Sequence, residues 1–227
     1  MEPVLTHSWN LSKEEALSLQ QTLASKVITE DKLNNINLVA GVDVAYDEKS
    51  DSLFAAVVVM DLNSLDIIET VITQDIVSFP YTPGLFSFRE LPPITKALKQ
   101  LNTSPDLIVC DGQGIAHPRR FGLACHLGVL FNVPTVGCGK SRLIGDAIQP
   151  GKERGDYSPL IDSDEVIGCI LRTQNNIKPV YVSIGHRISL STARKLILDL
   201  CPHYRLPQTT RLADQKVRKA LAEFHLT

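Results

Sequence analysis

Long apolar runs and the features of an N-terminal signal peptide are both missing from this sequence of 227 residues. The longest apolar runs, such as Leu53 to Met60, fall far short of the about 20 residues that span a bilayer. The first residues, Met1 to His7, lack the basic and apolar regions of a signal peptide. We therefore expect a cytoplasmic protein with no membrane partner.

Cysteine is scarce too, with five residues and no CxxC pair. All five lie in or beside apolar segments, which favours reduced, packed thiols over disulfides or a zinc site. Three histidines lie near apolar or glycine-rich segments, and none shows HxxxH or HxH spacing: His117, His126 and His186. This spacing also disfavours zinc, and His126, in an apolar helix, is interpreted as a packed core residue.

An excess of positive charge is also absent, because 23 Lys and Arg stand against 25 Asp and Glu. The net charge of −2 argues against a protein that coats nucleic acid through bulk basicity. Local basic clusters remain compatible with binding, although each alone is more typical of a solvated face. They are Arg119-Arg120, Lys140 with Arg142, Arg194-Lys195, and Arg211 to Lys219.

The first third of the chain predicts one helix followed by three strands. Ser12 and Glu15 have capping-box spacing, and apolar residues then recur at helical intervals, which predicts a helix over 13–29. Short polar links join the strands that follow, which are predicted at 38–46, 53–61 and 66–75. Three strands without an intervening helix favour an antiparallel meander and argue against a Rossmann start.

The rest of the chain predicts alternating helices and strands, all within one domain over 1–227. Pro92 and Pro93 are expected to interrupt the first of these helices. The segment 145–163 is expected to form a polar surface stretch with several glycines. The helices are predicted at about 87–101, 122–131, 189–200 and 209–224, and the strands at 107–111, 133–138, 165–172 and 179–184.

Four acidic residues are candidates for a metal site. Asp43 lies within an apolar run, where an unpaired charge is costly, and Asp111 ends a predicted strand. Glu90 and Asp214 each lie near the start of a predicted helix. Carboxylates that converge from several elements hold hard cations such as Mg²⁺, so the pattern predicts a metal-dependent phosphodiesterase. The alternatives are a loop contact for Asp43, a turn at Asp111 and ordinary first-turn acids at the other two positions.

Two glycine patterns suggest nucleotide binding, and both are incomplete. Gly112-Gln113-Gly114 follows a strand, but His117 stands where GxGxxG needs its third glycine. Gly139-Lys140-Ser141 resembles the end of a Walker A loop, but Pro134 stands at its first glycine. Neither pattern supports a nucleotide cofactor.

A stiff segment precedes the helix of Glu90. Prolines on both sides of Tyr81, at positions 80 and 83, keep this backbone out of a helix. Its aromatic ring either packs against the protein or acts as a wedge in a base stack, as apolar side chains do in proteins that distort DNA. Both alternatives remain open at this point.

Taken together, these residues resemble the Endonuclease V family, nucleases that act at deaminated purines. The resemblance runs from the N-terminal helix to about residue 215, and several independent motifs in the same order make it specific. The motifs are Gly41-Val42-Asp43, Pro80-Tyr81-Thr82-Pro83-Gly84, Phe88-Arg89-Glu90, Asp111-Gly112-Gln113-Gly114, His117-Pro118-Arg119-Arg120, Gly185-His186-Arg187 and Thr210-Arg211-Leu212-Ala213-Asp214.

The resemblance implies an α/β, ribonuclease H-like fold with a mixed five-stranded sheet, three antiparallel strands and then parallel ones, flanked by helices. It implies a DNA-repair endonuclease that recognises deoxyinosine in double-stranded DNA. The cut would fall at the second phosphodiester bond 3′ to the lesion and leave 3′-hydroxyl and 5′-phosphate ends. The cofactor would be Mg²⁺, with Mn²⁺ as a substitute, and nothing calls for more than a monomer.

The resemblance also implies a role for each matching residue. Metal binding falls to the four carboxylates, and Lys140 joins them in catalysis by stabilising the phosphate. The wedge would be Pro80, Tyr81, Thr82 and Pro83, and the pocket for the flipped base would be lined by Gly84, Leu85 and Gly112. Contacts with the nucleic acid backbone would come from Arg119, Arg120, Lys140 and Arg211.

The chain departs from the family pattern at three places. Some members have His in place of Asp214, and Gln113 replaces a different polar residue and receives no role. Cys138-Gly139 precedes Lys140 where Val-Ala is usual, a change that could loosen this loop. Two other functions stay open: an endoribonuclease specific for inosine in RNA or single strands, and an inosine-binding module that does not cut. The clustered acids argue against the module, since without a metal they would repel phosphate.

Overall fold

The computed structural model describes residues 1–226, so the end of the expected domain, Thr227, lies outside the described residues. Its α-helices are α1 Lys13–Ala24, α2 Phe86–Lys99, α3 Leu123–Phe131, α4 Leu190–Asp199 and α5 Gln208–Phe224. Its β-strands are β1 Leu38–Tyr46, β2 Ser52–Asp61, β3 Ile67–Ile76, β4 Leu107–Cys110, β5 Thr135–Gly139, β6 Tyr157–Asp162, β7 Glu165–Leu171 and β8 Val180–His186.

One mixed sheet organises the fold, with the strand order β3-β2-β1-β4-β5-β8-β7-β6. The first three strands form the expected antiparallel meander. Next to it, β4 lies parallel to β1, and β5 lies parallel to β4. The last three strands return to antiparallel pairing beyond β5. The carboxyl ends of β1, β4 and β5 therefore lie side by side at one edge of the sheet.

Helices cover both faces of this sheet. On one face, α2 packs on residues of β1 and β2 such as Val42 and Val57, and α3 packs on β4 and β5. On the other face, α5 packs on alternate residues such as Val39 and Phe54, and α4 packs on β7 and β8. Successive side chains of a strand point to opposite sides of the sheet. The helices on the two sides therefore bury both faces of the central strands. The predicted mixed sheet between helices is confirmed.

The sheet has eight strands within the described residues, whereas five were expected. Two of the extra strands, β7 and β8, were predicted from sequence and join the same sheet. The third, β6, was missed because it lies inside 145–163. It is an edge strand with only Leu160 fully buried, and it contains Pro159, which edge strands tolerate. Its sequence therefore lacks the apolar alternation of a central strand.

Two helices differ from their sequence predictions, the first in its end and the second in its continuity. The first ends at Ala24 rather than at residue 29, because Ile28 pairs with the end of β8: its N–H donates to His186, and its carbonyl accepts from the N–H of Arg187. The helix α2 runs unbroken through Pro92 and Pro93, since apolar residues around the prolines hold it against β2 and β3. In both cases tertiary contacts outweigh the local signal.

Other expectations about the interior are confirmed. The five cysteines are free and buried. His126 is fully buried, where it contacts Ser87 (3.0 Å) and the ring of His7 (2.8 Å).

Among residues 1–226, no helix has both the length and the apolar character needed to cross a membrane.

Candidate active site

The parallel strands bring the first two acids together. In the register of β1 and β4, Val42 lies opposite Cys110, so Asp43 and Asp111 follow at the same level. The proximity expected for these carboxylates, if their strands pair, is confirmed. Both side chains point toward the face that α5 covers, since they share the alternation of Val39 and Gly41.

Lys140 completes this group from the next strand. It directly follows β5, and its Nζ donates a hydrogen bond to Oδ2 of Asp111. Burial lowers the pKa of Lys140, but the hydrogen bond and charge of Asp111 outweigh that effect and raise it. The loop stays close to the sheet through two donors, Gln113 to the Ser141 carbonyl (3.1 Å) and Arg205 to the Lys140 carbonyl (2.7 Å). These bonds hold the loop that directly follows the Cys138-Gly139 departure.

Glu90 reaches the site from α2. Its carboxylate is buried and accepts a hydrogen bond from the Tyr46 hydroxyl at 3.0 Å. Burial raises the pKa of Glu90 well above its usual value, while the Tyr46 hydrogen bond acts in the opposite direction. Asp43 and Asp111 raise it further, which shows that the three carboxylates share one electrostatic environment.

Asp214 comes from α5, which packs closely on β1. A Cβ on Gly41 would lie 2.3 Å from the Thr209 carbonyl carbon, so only glycine allows this approach. Asp214 accepts a hydrogen bond from Nε of Arg218 at 2.7 Å. Its charge contributes to the raised pKa of Asp43, and it therefore belongs to the same cluster.

The chemistry of this donor set suits a hard divalent cation. Burial, and then the charge of Asp111, raise the pKa of Asp43 to about 7, so the cluster carries negative charge at a cost that a cation would relieve. Among the described residues, no three His, Cys, Asp or Glu side chains form a ready-made metal-binding group. Three of the carboxylates instead contact Lys140, Tyr46 and Arg218, and a cation would compete with the two basic residues.

A cleft of about 540 Å³ runs from Asp43, Glu90 and Asp111 to the proline-rich segment, while Asp214 lines a neighbouring cleft. Pro83 and Gly84 form a tight turn in which the Leu85 N–H donates to the Thr82 carbonyl at 2.9 Å. Proline followed by a glycine with φ +77° is the pattern of a type II turn. Beside the turn, Tyr81 is 70% exposed, as a wedge requires.

The three residues predicted to line the base pocket differ in their position relative to the cleft. Gly84 and Gly112 line the cleft. The side chain of Leu85 is instead buried between Phe79 and Phe88, so only its backbone can contribute to recognition.

The basic residues predicted to contact nucleic acid differ in position. Lys140 lines the cleft. Arg119 donates to the Gly84 carbonyl, and Arg120 bonds two carboxylates, those of Asp162 and Glu165. Arg211 stacks on the Tyr204 ring, 4.1 Å from its centroid. Three of these four basic residues therefore have partners within the protein that lie outside the acidic cluster.

Three residues of the site had no role in the sequence interpretation. Tyr46 supports Glu90, Arg205 supports Lys140, and Gln20 supports the turn at Gly84. Tyr46 lies in the same strand as Asp43, and this proximity could have drawn attention to it. Gln20 and Arg205 are far in sequence from the residues they contact, and no local pattern marks them.

Similarity to known proteins decides the family. The sequence model of Endonuclease V matches residues 21–215. The chain belongs to the Endonuclease V family. It is therefore an endonuclease, and the acidic cluster is its candidate active site.

Individual relatives agree with this assignment. An Endonuclease V from Rippkaea orientalis is 50% identical over 210 residues, 92% of each chain. The crystal structure of Endonuclease V from Streptomyces avermitilis has 45% identity and a TM-score of 0.92, and the match covers 97% of this chain and 98% of that one. Ciona intestinalis Endonuclease V has 29% identity and a TM-score of 0.83 over 93% of this chain and 98% of its own. It was crystallised with DNA containing an inosine followed by a ribo-adenosine.

Proposed function

We propose that this protein is a Mg²⁺-dependent DNA-repair endonuclease for deoxyinosine. It would hydrolyse the second phosphodiester bond 3′ to the lesion and leave 3′-hydroxyl and 5′-phosphate ends. The observation that carries the proposal is a single cleft with clustered carboxylates and Lys140 at one end and the exposed Tyr81 at the other. The Ciona relative in complex with inosine-containing DNA supports the same substrate.

Chemistry belongs to the acidic end of the cleft. Asp43, Glu90, Asp111 and Asp214 would hold the metal, which when bound neutralises phosphate charge and activates water. The Lys140 ammonium lies beside Asp111, where it stabilises negative charge that develops on the phosphate oxygens. Mn²⁺ would substitute for Mg²⁺, since both accept carboxylate oxygens.

Recognition belongs to the end with the turn. A base inside a duplex must be extruded before a protein can read its Watson–Crick edge, which costs a few kcal/mol. Tyr81, with Pro80, Thr82 and Pro83, would fill the gap left in the stack. Gly84 and Gly112 bring the backbone close to the extruded base, and the Leu85 backbone adjoins them, so main-chain groups read it. Arg120 and Arg211 remain proposed contacts of the nucleic acid backbone, whereas Arg119, predicted as a third such contact, bonds the Gly84 carbonyl instead.

Inosine-containing RNA or single strands are the alternative substrates on the same site, and the 2′-hydroxyl is the group by which a protein distinguishes RNA from DNA. A non-cleaving inosine-binding module is the less favoured alternative, since the carboxylates would repel phosphate without a metal. We propose that the protein acts as a cytoplasmic monomer.

The test compares two labelled duplexes in Mg²⁺, one DNA with a single deoxyinosine and one RNA with a single riboinosine. EDTA and Asp43→Ala are the controls. We expect a metal-dependent nick one nucleotide beyond deoxyinosine that both controls abolish. Cleavage of RNA alone would replace DNA repair by RNA processing, and tight binding without cleavage of either would favour the binding module.

A further inference from the structure

The carbonyl oxygen of Gly84 accepts hydrogen bonds from three side chains. Nε2 of Gln20 lies at 3.0 Å, Nε2 of His117 at 3.0 Å, and Nη2 of Arg119 at 2.7 Å. A carbonyl oxygen has two lone pairs, so this acceptor is fully used. Two distant parts of the chain, α1 and the loop after β4, supply the donors.

Gln20 is the centre of this cluster and is 1% exposed. Its amide nitrogen also donates to the Phe121 carbonyl at 2.8 Å, and its amide oxygen accepts from Nε of Arg119. These partners leave one orientation of the amide, because both carbonyls need a donor and the guanidinium needs an acceptor. Gln20 thus joins the turn at Gly84, the Arg119 side chain and the segment before α3.

His117 donates as a neutral imidazole. The backbone N–H of Arg119 donates to its Nδ1 at 3.2 Å, which leaves the proton on Nε2, the atom that faces Gly84. Burial, and then the charge of Arg119, lower the pKa of His117 to about 4. The third donor therefore has the required tautomer without carrying a second positive charge next to Arg119.

The turn that these donors hold is the part of the cleft next to Tyr81. Gly84 has φ +77°, and a Cβ there would lie 2.6 Å from Nη2 of Arg119. The turn and the guanidinium are therefore in direct contact. Rotation of the Gly84 carbonyl would break three side-chain hydrogen bonds at once, and it would also move Pro83 and Tyr81.

We propose that Gln20 and Arg119 are positioning residues, which fix the Gly84 turn and so set the affinity for the damaged base without touching it. The inference rests on the proposed function and adds to it a buried support on α1. It also gives Arg119 a role that differs from a phosphate contact. A phosphate contact strengthens binding to every duplex, whereas a support of the turn strengthens binding only where a base enters the cleft.

The experiment measures dissociation constants, in EDTA, for labelled duplexes with and without one deoxyinosine. Gln20→Met keeps the side chain's length and removes its polar atoms, and Gln20→Glu keeps the acceptor for Arg119 but turns the donor into an acceptor. Gln21→Met, on the exposed side of the same helix, is the matched control. Arg119→Lys keeps the positive charge and removes the planar fork. Single-turnover nicking in Mg²⁺ and thermal unfolding are measured on every variant.

We expect Gln20→Met, Gln20→Glu and Arg119→Lys each to weaken lesion binding about tenfold, since each loses hydrogen bonds at the turn. Binding to the unmodified duplex and the rate at saturating protein should match those of the wild type and of Gln21→Met. A purely structural role would instead lower the active fraction and leave the dissociation constant unchanged.

Two results would overturn the inference: wild-type lesion affinity in folded Gln20→Met and Arg119→Lys, or an equal loss for both duplexes. If Gln20→Met does not fold, Arg119→Lys decides alone. Failure of the proposed function is a separate result, in which the wild type itself neither prefers nor cuts the deoxyinosine duplex.

Discussion

The two ends of the cleft are built in opposite ways. At the acidic end, Asp43 lies within β1, and Asp111 and Lys140 directly follow the parallel strands β4 and β5, so the sheet itself places them. At the other end, the turn at Gly84 lies on a loop and is held by side chains from α1 and from the loop after β4.

The acidic end and the turn end of the cleft therefore have distinct properties. The acidic end holds buried carboxylates close together, and this burial, with the charge of Asp111, raises the pKa of Asp43. The turn end has its polar groups mutually satisfied and exposes the Tyr81 ring. We infer that the first end determines the rate of cleavage and the second determines the affinity for the lesion.

The largest expected effect is that of Asp43→Ala. The single-turnover rate of nicking at saturating protein should fall about 10³-fold, because loss of a metal ligand removes several kcal/mol of transition-state stabilisation. Lesion binding in EDTA should stay the same or tighten, since one repulsive charge is gone. A rate within tenfold of wild type would show that Asp43 is not part of the chemistry.

A smaller effect, confined to binding, is expected for Tyr81→Ala. The dissociation constant for the deoxyinosine duplex should rise about tenfold, as loss of one stacking ring costs 1–3 kcal/mol. At saturating protein the rate should be that of the wild type. The matched control is Tyr157→Ala, which removes another half-exposed tyrosine outside the cleft. Unchanged binding by Tyr81→Ala would remove the wedge from the account.

The smallest effect concerns stability. Because the pKa of Asp43 is raised to about 7 in the folded protein, the fold binds a proton that the unfolded chain releases from about pH 4 upward. Asp43 therefore lowers stability as the pH rises from about 4 to 7, and the cost is complete above that range. In EDTA, Asp43→Asn should raise the midpoint of thermal unfolding at pH 8 and change it little at pH 4. An equal shift at both pH values would contradict the raised pKa of Asp43.

The same contrast explains what the sequence could predict. The positions of Asp43 and Asp111 follow from two strands that pair in parallel, and apolar runs reveal such strands. The bonds from Gln20 to Gly84 and from Arg205 to Lys140 join residues 64 and 65 positions apart. No periodicity or local spacing encodes them. For the same reason β6 was missed, since its exposed edge lacks an apolar pattern.

The most direct test measures two quantities side by side on one labelled deoxyinosine duplex. These are the dissociation constant in EDTA and the single-turnover rate in Mg²⁺ at saturating protein, for wild type, Asp43→Ala and Tyr81→Ala. The account predicts that Asp43→Ala loses the rate and keeps the affinity, while Tyr81→Ala loses the affinity and keeps the rate. If either variant lost both quantities to a similar extent, the division of the cleft into a chemical end and a recognition end would be wrong.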